Sequence, residues 1–246
     1  MEQENQHQQT FTIATIAALF PEDLLEKLAT VQHELGGAVY LVGGSVRDLI
    51  LGRVPGDIDL TVARDAEQWA ERLRQLTGGT YVELGREEGA ARVVLRQGLD
   101  VDFSSFRASA RSIVEDLEKR DITVNALAVP VHDLLTGRCQ NQERLPVIDP
   151  VGGFADLKQQ RVRAVTEKSF SDDPLRMLRV FRFAAVLDFT VESDTFEQVF
   201  QQRERIDRVA KERVAHELDL IMASPRAHRT FVEMRECGLL WQILPE

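Results

Sequence analysis

The sequence predicts an α+β fold: a mixed β-sheet with helices on one face, followed by an all-α segment. Three observations carry this expectation. Short apolar and alternating runs, punctuated by glycine, recur between helical patterns from Ala38 to about Val131. After Asp149-Pro150-Val151-Gly152-Gly153 the apolar period changes to about 3.6 residues and stays there. A chain of 246 residues, 43% hydrophobic and 28% charged, can bury one large core or two small ones, which excludes collagen-like, low-complexity and wholly disordered classes.

Each element has its own signal. Residues 1–12 are polar and Gln-rich and predict a disordered tail, which with its flank gives a first segment of 1–20. Pro21–Leu35 carries Leu24, Leu25, Leu28 and Val31 on one helical face and stops at Gly36-Gly37. Ala38–Val42 is a short apolar strand, Ser45–Leu51 a helix ended by Gly52, and Asp57–Val62 an alternating strand. Ala66–Leu76 is a helix closed by Gly78-Gly79. Strands then follow at Thr80–Leu84, Ala91–Leu95 and Val101–Ser105, with turns at Gly89 and Gly98. Helices are predicted at Pro174–Leu187, Asp194–Glu204, Arg208–Met222 and Arg226–Cys237. The boundary near residue 160 gives a sheet domain at 21–160 and a helical domain at 161–246. The apolar run Leu239, Leu240, Trp241, Ile243 and Leu244 at the end predicts that further chain follows.

Composition excludes several partners. No stretch approaches the roughly 20 apolar residues that cross a bilayer, and the N terminus lacks the order of a secretory signal. Cys139 and Cys237 stand far apart, against a disulfide framework or a cysteine zinc site, so a cytoplasmic location is expected. The formal net charge of −10 argues against nucleic acid as a partner. The distribution softens that argument: from Lys158 to Arg182 basic residues (Lys158, Arg161, Arg163, Lys168, Arg176, Arg179, Arg182) outnumber acidic ones (Glu167, Asp172, Asp173).

The chemistry sits in Leu41-Val42-Gly43-Gly44-Ser45-Val46-Arg47-Asp48 and Asp57-Ile58-Asp59-Leu60. A strand entering a Gly-Gly turn and then a helix turns backbone N–H groups outward, where phosphate is welcome. Asp57 and Asp59, two apart on a strand, share a face, and two like charges side by side call for a cation. Mg²⁺ is the natural candidate, served by carboxylates, water and substrate phosphate. Asp102 alternates with apolar Val101 and Phe103, and Asp100 on the same face is its rival. If that strand lies beside Asp57–Val62, three carboxylates can hold two metal ions for in-line displacement at phosphorus.

Five motifs in order resemble the class II tRNA nucleotidyltransferases and bacterial poly(A) polymerases, within the polymerase-beta-like nucleotidyltransferase superfamily. The first is the Gly-Gly and Asp-x-Asp segment just quoted. The second is Lys119-Arg120-Asp121-Ile122-Thr123-Val124-Asn125-Ala126-Leu127-Ala128, and the third Asp149-Pro150-Val151-Gly152-Gly153-Phe154-Ala155-Asp156-Leu157. The fourth is Asp172-Asp173-Pro174-Leu175-Arg176-Met177-Leu178-Arg179, running on to Arg182-Phe183-Ala184, and a weaker fifth is Ala210-Lys211-Glu212-Arg213-Val214. The resemblance implies a nucleotidyltransferase head and a helical neck that reads the nucleotide and binds RNA. It implies that Asp57, Asp59 and Asp102 are the catalytic, metal-binding carboxylates for two Mg²⁺ ions. It places Gly43, Gly44 and Arg47 at the triphosphate, and Arg120, Asp121 and Asn125 near ribose and triphosphate. Asp173 and Arg176 then offer hydrogen-bonding edges to the incoming base, so that protein replaces a template, which suits a carboxylate acceptor beside a guanidinium donor. Considered without the other motifs, Asp173 is an ordinary helix cap and Arg176 its solvated partner. Arg179 and Arg182 read either as phosphate contacts or as a solvated face.

The implied activity is template-independent transfer of CMP, and conditionally AMP, from CTP and ATP to the 3′ end of tRNA, with pyrophosphate released and neither membrane nor protein partner involved. Two departures from the family pattern bear on this. The segment Arg107–Asp116 is short where the family has a long loop, which resembles the CC-adding members. Gly85-Arg86-Glu87-Glu88 replaces the Gly-Arg-Arg-Phe of the poly(A) polymerases. The alternatives are a poly(A) polymerase, a catalytically incomplete fragment that binds nucleotide or RNA, and a small-molecule nucleotidyltransferase, which lacks the Asp-Asp-x-x-Arg helix. His132-Asp133 hints at a phosphohydrolase, but the five scattered histidines do not supply its ligand set.

Overall fold

The computed structural model describes residues 9–85, 89–107, 110–138 and 143–244. Cys139, the Arg86-Glu87-Glu88 stretch, part of the Arg107–Asp116 segment and the first eight residues of the expected tail lie outside the described residues. Packing gathers the chain into two compact units. The first comprises the chain up to Leu117 together with Leu127–Asp149, and the second Glu118–Ala126 together with Pro150–Glu246.

In the first unit the chain runs β1 (Thr10–Thr12), α1 (Ile13–Ala17), α2 (Glu22–Leu35), β2 (Val39–Val42), α3 (Gly43–Ile50), β3 (Asp57–Val62) and α4 (Ala66–Thr77). It continues through β4 (Thr80–Gly85), β5 (Ala90–Val94), β6 (Asp100–Ser105), α5 (Ile113–Leu117), β7 (Ala128–Pro130), α6 (His132–Leu135) and β8 (Arg144–Pro146). Six strands form one sheet in the order β4-β5-β6-β3-β2-β7. Only the β3–β6 pair is parallel, so the sheet is mixed, as the sequence predicts. The alternation of β3 and β6 explains their placement: Ile58, Leu60, Val101 and Phe103 are buried, while the acidic positions between them take the opposite face. Helix α4 packs on β5 and β6 through Trp69, Ala70 and Leu73, with the Trp69 ring tilted against Phe103 at 6.3 Å.

Two expectations need correction. Residues 10–17 are not a disordered tail: β1 pairs antiparallel with β8, the Arg144 Nε donates to Thr10 Oγ1 at 2.6 Å, and Ile16 is fully buried. The polar, Gln-rich start masks this, although Phe11, Ile13, Ile16, Leu19 and Phe20 supply apolar surface just after it. Strands also do not end near Val131. Strand β8 and a later parallel pair are two or three residues long, too short for an alternation to register.

The second unit holds α7 (Gly153–Lys158), β9 (Arg161–Val162), α8 (Ser169–Asp172), α9 (Arg176–Leu187), β10 (Thr190–Val191) and α10 (Ser193–Gln202), then α11 (Lys211–Met222), α12 (Ala227–Glu236) and α13 (Leu239–Ile243). Helix α9 is its centre: Met177, Leu178, Val180, Phe181, Ala184 and Ala185 are buried, and α11 and α12 pack against it. The segment Glu118–Ala126 belongs here because of its hydrogen bonds. Its 3-10 turn Thr123–Asn125 donates from Thr123 N–H to the Arg163 carbonyl at 2.9 Å and from Thr123 Oγ1 to Asp156 Oδ2 at 2.6 Å. Asp156 is fully buried and also accepts from Arg161 and Arg163, so its charge is compensated in place.

Candidate active site

The predicted residues gather into two clusters, one in each unit. In the first, β3 and β6 run side by side with Asp57 opposite Asp100, Asp59 opposite Asp102 and Thr61 opposite Ser104. The last pair is joined by a 2.7 Å hydroxyl hydrogen bond that helps fix the register. Asp57, Asp59 and Asp102 each present a carboxylate oxygen, and these oxygens lie within 4.8 Å of one another. Asp100, the rival acid, lies outside this group and accepts from Arg92.

The Gly-Gly turn brings helix α3 directly against these acids. Gly43 has φ +59°, a conformation glycine adopts at little cost, and its N–H donates to the Leu127 carbonyl at 3.1 Å. The helix therefore starts two residues before the position its sequence suggests. Ser45, fully buried, stitches the turn to β3: its hydroxyl accepts from Asp59 N–H at 2.8 Å and donates to the Asp57 carbonyl at 3.1 Å. The Ser45 N–H donates to Asp59 Oδ2 at 3.3 Å. At Gly44 a side chain would be crowded, since a Cβ there would stand 3.1 Å from Asp59 Oδ2, with Arg47 Nη2 at 3.5 Å. Arg47 makes a two-pronged contact with Asp48 at 2.9 and 3.1 Å.

Arg92 is the residue that sequence reasoning missed. It lies on β5 opposite Asp102, and its guanidinium forks onto both Asp102 oxygens, Nε at 2.7 Å and Nη2 at 2.8 Å. Its Nη1 donates to Asp100 at 2.7 Å, and Nη2 lies 3.7 Å from Asp57. The sequence alone did not set this partner: the observed β5–β6 pairings are symmetric about Gln97 and bring Arg92 opposite Asp102, whereas a hairpin centred on the predicted Gly98 would pair it with Ser104. Burial and the neighbouring Asp102 charge raise the Asp57 carboxyl above its ordinary value, with Arg92 opposing them. Three hard oxygen donors converging at this spacing, with their repulsion expressed in Asp57, fit a divalent cation.

In the second cluster, Asp121 is buried and receives Arg179 at 2.7 Å. Burial pushes its carboxyl upward, but the charge and hydrogen bond of Arg179 outweigh this and hold it well below the usual carboxylate range. Arg179 also reaches Glu217 of α11 at 3.6 Å, and Arg182 donates to the same buried Glu217 at 2.6 Å. Both arginines are thus tied to Glu217. Arg120 and Asn125 are buried, and Arg120 Nη1 donates to the Asn125 carbonyl at 3.3 Å. Asp173 accepts the Leu175 N–H on one oxygen and Arg213 Nη2 on the other, both at 3.1 Å. Arg176 Nη2 donates to the Lys119 carbonyl at 2.9 Å. Glu217 and Arg213 were not singled out as site residues, because their partners lie 35 and 40 positions away in sequence.

Among the described residues no helix is long and apolar enough to cross a membrane. The family described as poly A polymerase head domain matches residues 39–163, and the probable RNA and SrmB-binding site of polymerase A matches residues 188–246. The chain belongs to the poly A polymerase head-domain family, as the order of its motifs implies. It is 35% identical over 213 residues to a CC-adding tRNA nucleotidyltransferase of Geobacter sulfurreducens, an alignment covering 86% of this chain and 46% of the relative. A structure of the Thermotoga maritima CCA-adding enzyme complexed with tRNA superposes with a TM-score of 0.79 at 30% identity, covering 97% of this chain and 57% of that one. A CCA-adding enzyme in complex with CTP gives 0.79 at 28% identity, covering 96% and 57%. The chain spans about half the length of the curated relatives it matches.

Proposed function

We propose that the protein is a template-independent nucleotidyltransferase that transfers CMP from CTP to the 3′ end of tRNA in the cytoplasm, releasing pyrophosphate, with AMP from ATP as the further donor in a full CCA addition. The observation that carries the reading is the convergence of Asp57, Asp59 and Asp102 beside the Gly43-Gly44 helix start. The names of the relatives support tRNA as acceptor and CTP as donor.

In this reading Asp57, Asp59 and Asp102 hold Mg²⁺, two ions in the full site, which when bound neutralises the triphosphate and lowers the barrier to displacement at phosphorus. The remaining work belongs to the chain. Ser45 fixes Asp57 and Asp59 by bonding to the backbone of both, so the carboxylates are aligned before substrate arrives. Gly44, bare of side chain, lets an anionic group approach the helix start, with Arg47 beside it. In the second unit, Asp173 and Arg176 present the acceptor and donor that would read a base. Arg213 and the Lys119 carbonyl preset the orientation of each. Arg120, Asp121, Asn125, Arg179 and Arg182 form the charged surroundings of ribose and phosphates in this assignment, with Asp121 and Glu217 holding the two arginines in place.

The test is incorporation of labelled CMP or AMP into a tRNA lacking its 3′ end, with Mg²⁺. The wild-type protein extends that tRNA by a short defined end, and Asp57→Asn with Asp59→Asn lowers incorporation by at least about a hundredfold. Undiminished incorporation in the double variant overturns the assignment, and a long A tail on single-stranded RNA replaces it with poly(A) polymerase activity.

A further inference from the structure

The acidic triad carries its own cation. Arg92 covers both oxygens of Asp102 with a two-pronged fork, and the same guanidinium reaches outward to Asp100, which is not part of the triad. A fork of this kind is the strongest ordinary contact between these groups, and it occupies carboxylate lone pairs that a metal ion would also use. A guanidinium and a divalent cation sharing one carboxylate also repel one another. Asp100 gives Arg92 somewhere to remain: the acid sits two residues before Asp102 on the same face of β6, and Nη1 already donates to it. Because the strands fix Arg92 opposite Asp102, this arrangement is set by the sheet and not by a mobile side chain finding a partner.

We propose that Arg92 is the resident counter-cation of the site, and that divalent cation loading is an exchange in which Arg92 gives up Asp102 and is retained by Asp100. The inference rests on the metal-site reading above and assigns Asp100 the part of a retaining anchor, not a ligand. Its cost is affinity: the ion must displace a fork, so the site binds divalent cation more weakly than three carboxylates at this spacing otherwise would.

The test is Mn²⁺ titration of the whole protein without nucleotide or RNA, following free Mn²⁺ by electron paramagnetic resonance and, in parallel, the melting temperature. Arg92→Gln is expected to bind Mn²⁺ about three- to tenfold more tightly than wild type. It should also melt lower in chelator and gain more from Mn²⁺. Arg92→Lys, which keeps the charge but cannot fork, falls between the two and serves if Arg92→Gln does not fold. Mn²⁺ binding by both variants that is no tighter than wild type overturns the exchange while leaving the metal site intact, provided Asp57→Asn and Asp102→Asn lose binding. If those two variants bind Mn²⁺ as wild type does, the metal-site reading and the exchange both fall.

Discussion

Gly44 shows how a single atom can matter without touching the fold. It is helical with ordinary φ, so alanine there would by propensity stabilise the helix by roughly 0.5–1 kcal/mol. The added Cβ, however, would stand 3.1 Å from Asp59 Oδ2, tighter than ordinary packing, and one of the two must give. Gly44→Ala is expected to leave urea stability within about 1 kcal/mol of wild type while lowering CMP incorporation about tenfold, because a few tenths of an ångström at a reacting centre cost more than they do in a core. Denaturation and incorporation measured on one preparation check this. The Gly-Gly and Asp-x-Asp motifs were legible in the sequence because their meaning is local. Arg92 was not singled out, since its role exists only across a hairpin.

At the scale of elements, helix α9 is bound to its surroundings by charge as well as by packing. Its Arg179 holds Asp121, which precedes the 3-10 turn, and the same arginine with Arg182 reaches Glu217 of α11. Asp121 is buried with its carboxyl held well below the usual range, so its ionised form stabilises the folded state above the unfolded carboxylate pKa of about 4. That contribution fades as pH falls below about 4 toward the lower folded value. Asp121→Asn is expected to cost about 2–3 kcal/mol at neutral pH by leaving Arg179 short of a partner. The difference from wild type should shrink as pH falls to 3. Urea midpoints at pH 7 and 3 read it directly. Such helix-to-helix ties were invisible in the sequence, where periodicity located α9 within two residues of its start but said nothing of what its polar face meets.

At the scale of the whole chain, the sequence changes period near residue 160, yet packing assigns Glu118–Ala126 to the later unit. Thr123 depends on Arg163 and Asp156, the Asp121 carbonyl accepts from Val165 N–H at 3.3 Å, and Asp121 depends on Arg179. A fragment of residues 1–160 therefore keeps the segment and loses Arg163, Val165 and Arg179, leaving buried Asp121 without its arginine. We expect it to melt at least about 10 °C below the full chain or to aggregate. Circular dichroism melting and size-exclusion chromatography of the two side by side settle the comparison.

The amino-acid sequence by itself determined the types of the longer elements, the parity that sets Asp57, Asp59 and Asp102 on outward positions of their strands, and the glycine turn beside them. These follow from steric preferences and from side-chain period, which act over a few residues. Only the tertiary structure decided that β3 and β6 are parallel neighbours, that Asp102 and not Asp100 joins the triad, and that Arg92 stands against it. It also decided that Glu217 gathers two arginines. Register and charge pairing across 10 to 58 positions are settled by burial and by the cost of leaving a charge uncompensated, and neither is written in any local stretch of chain.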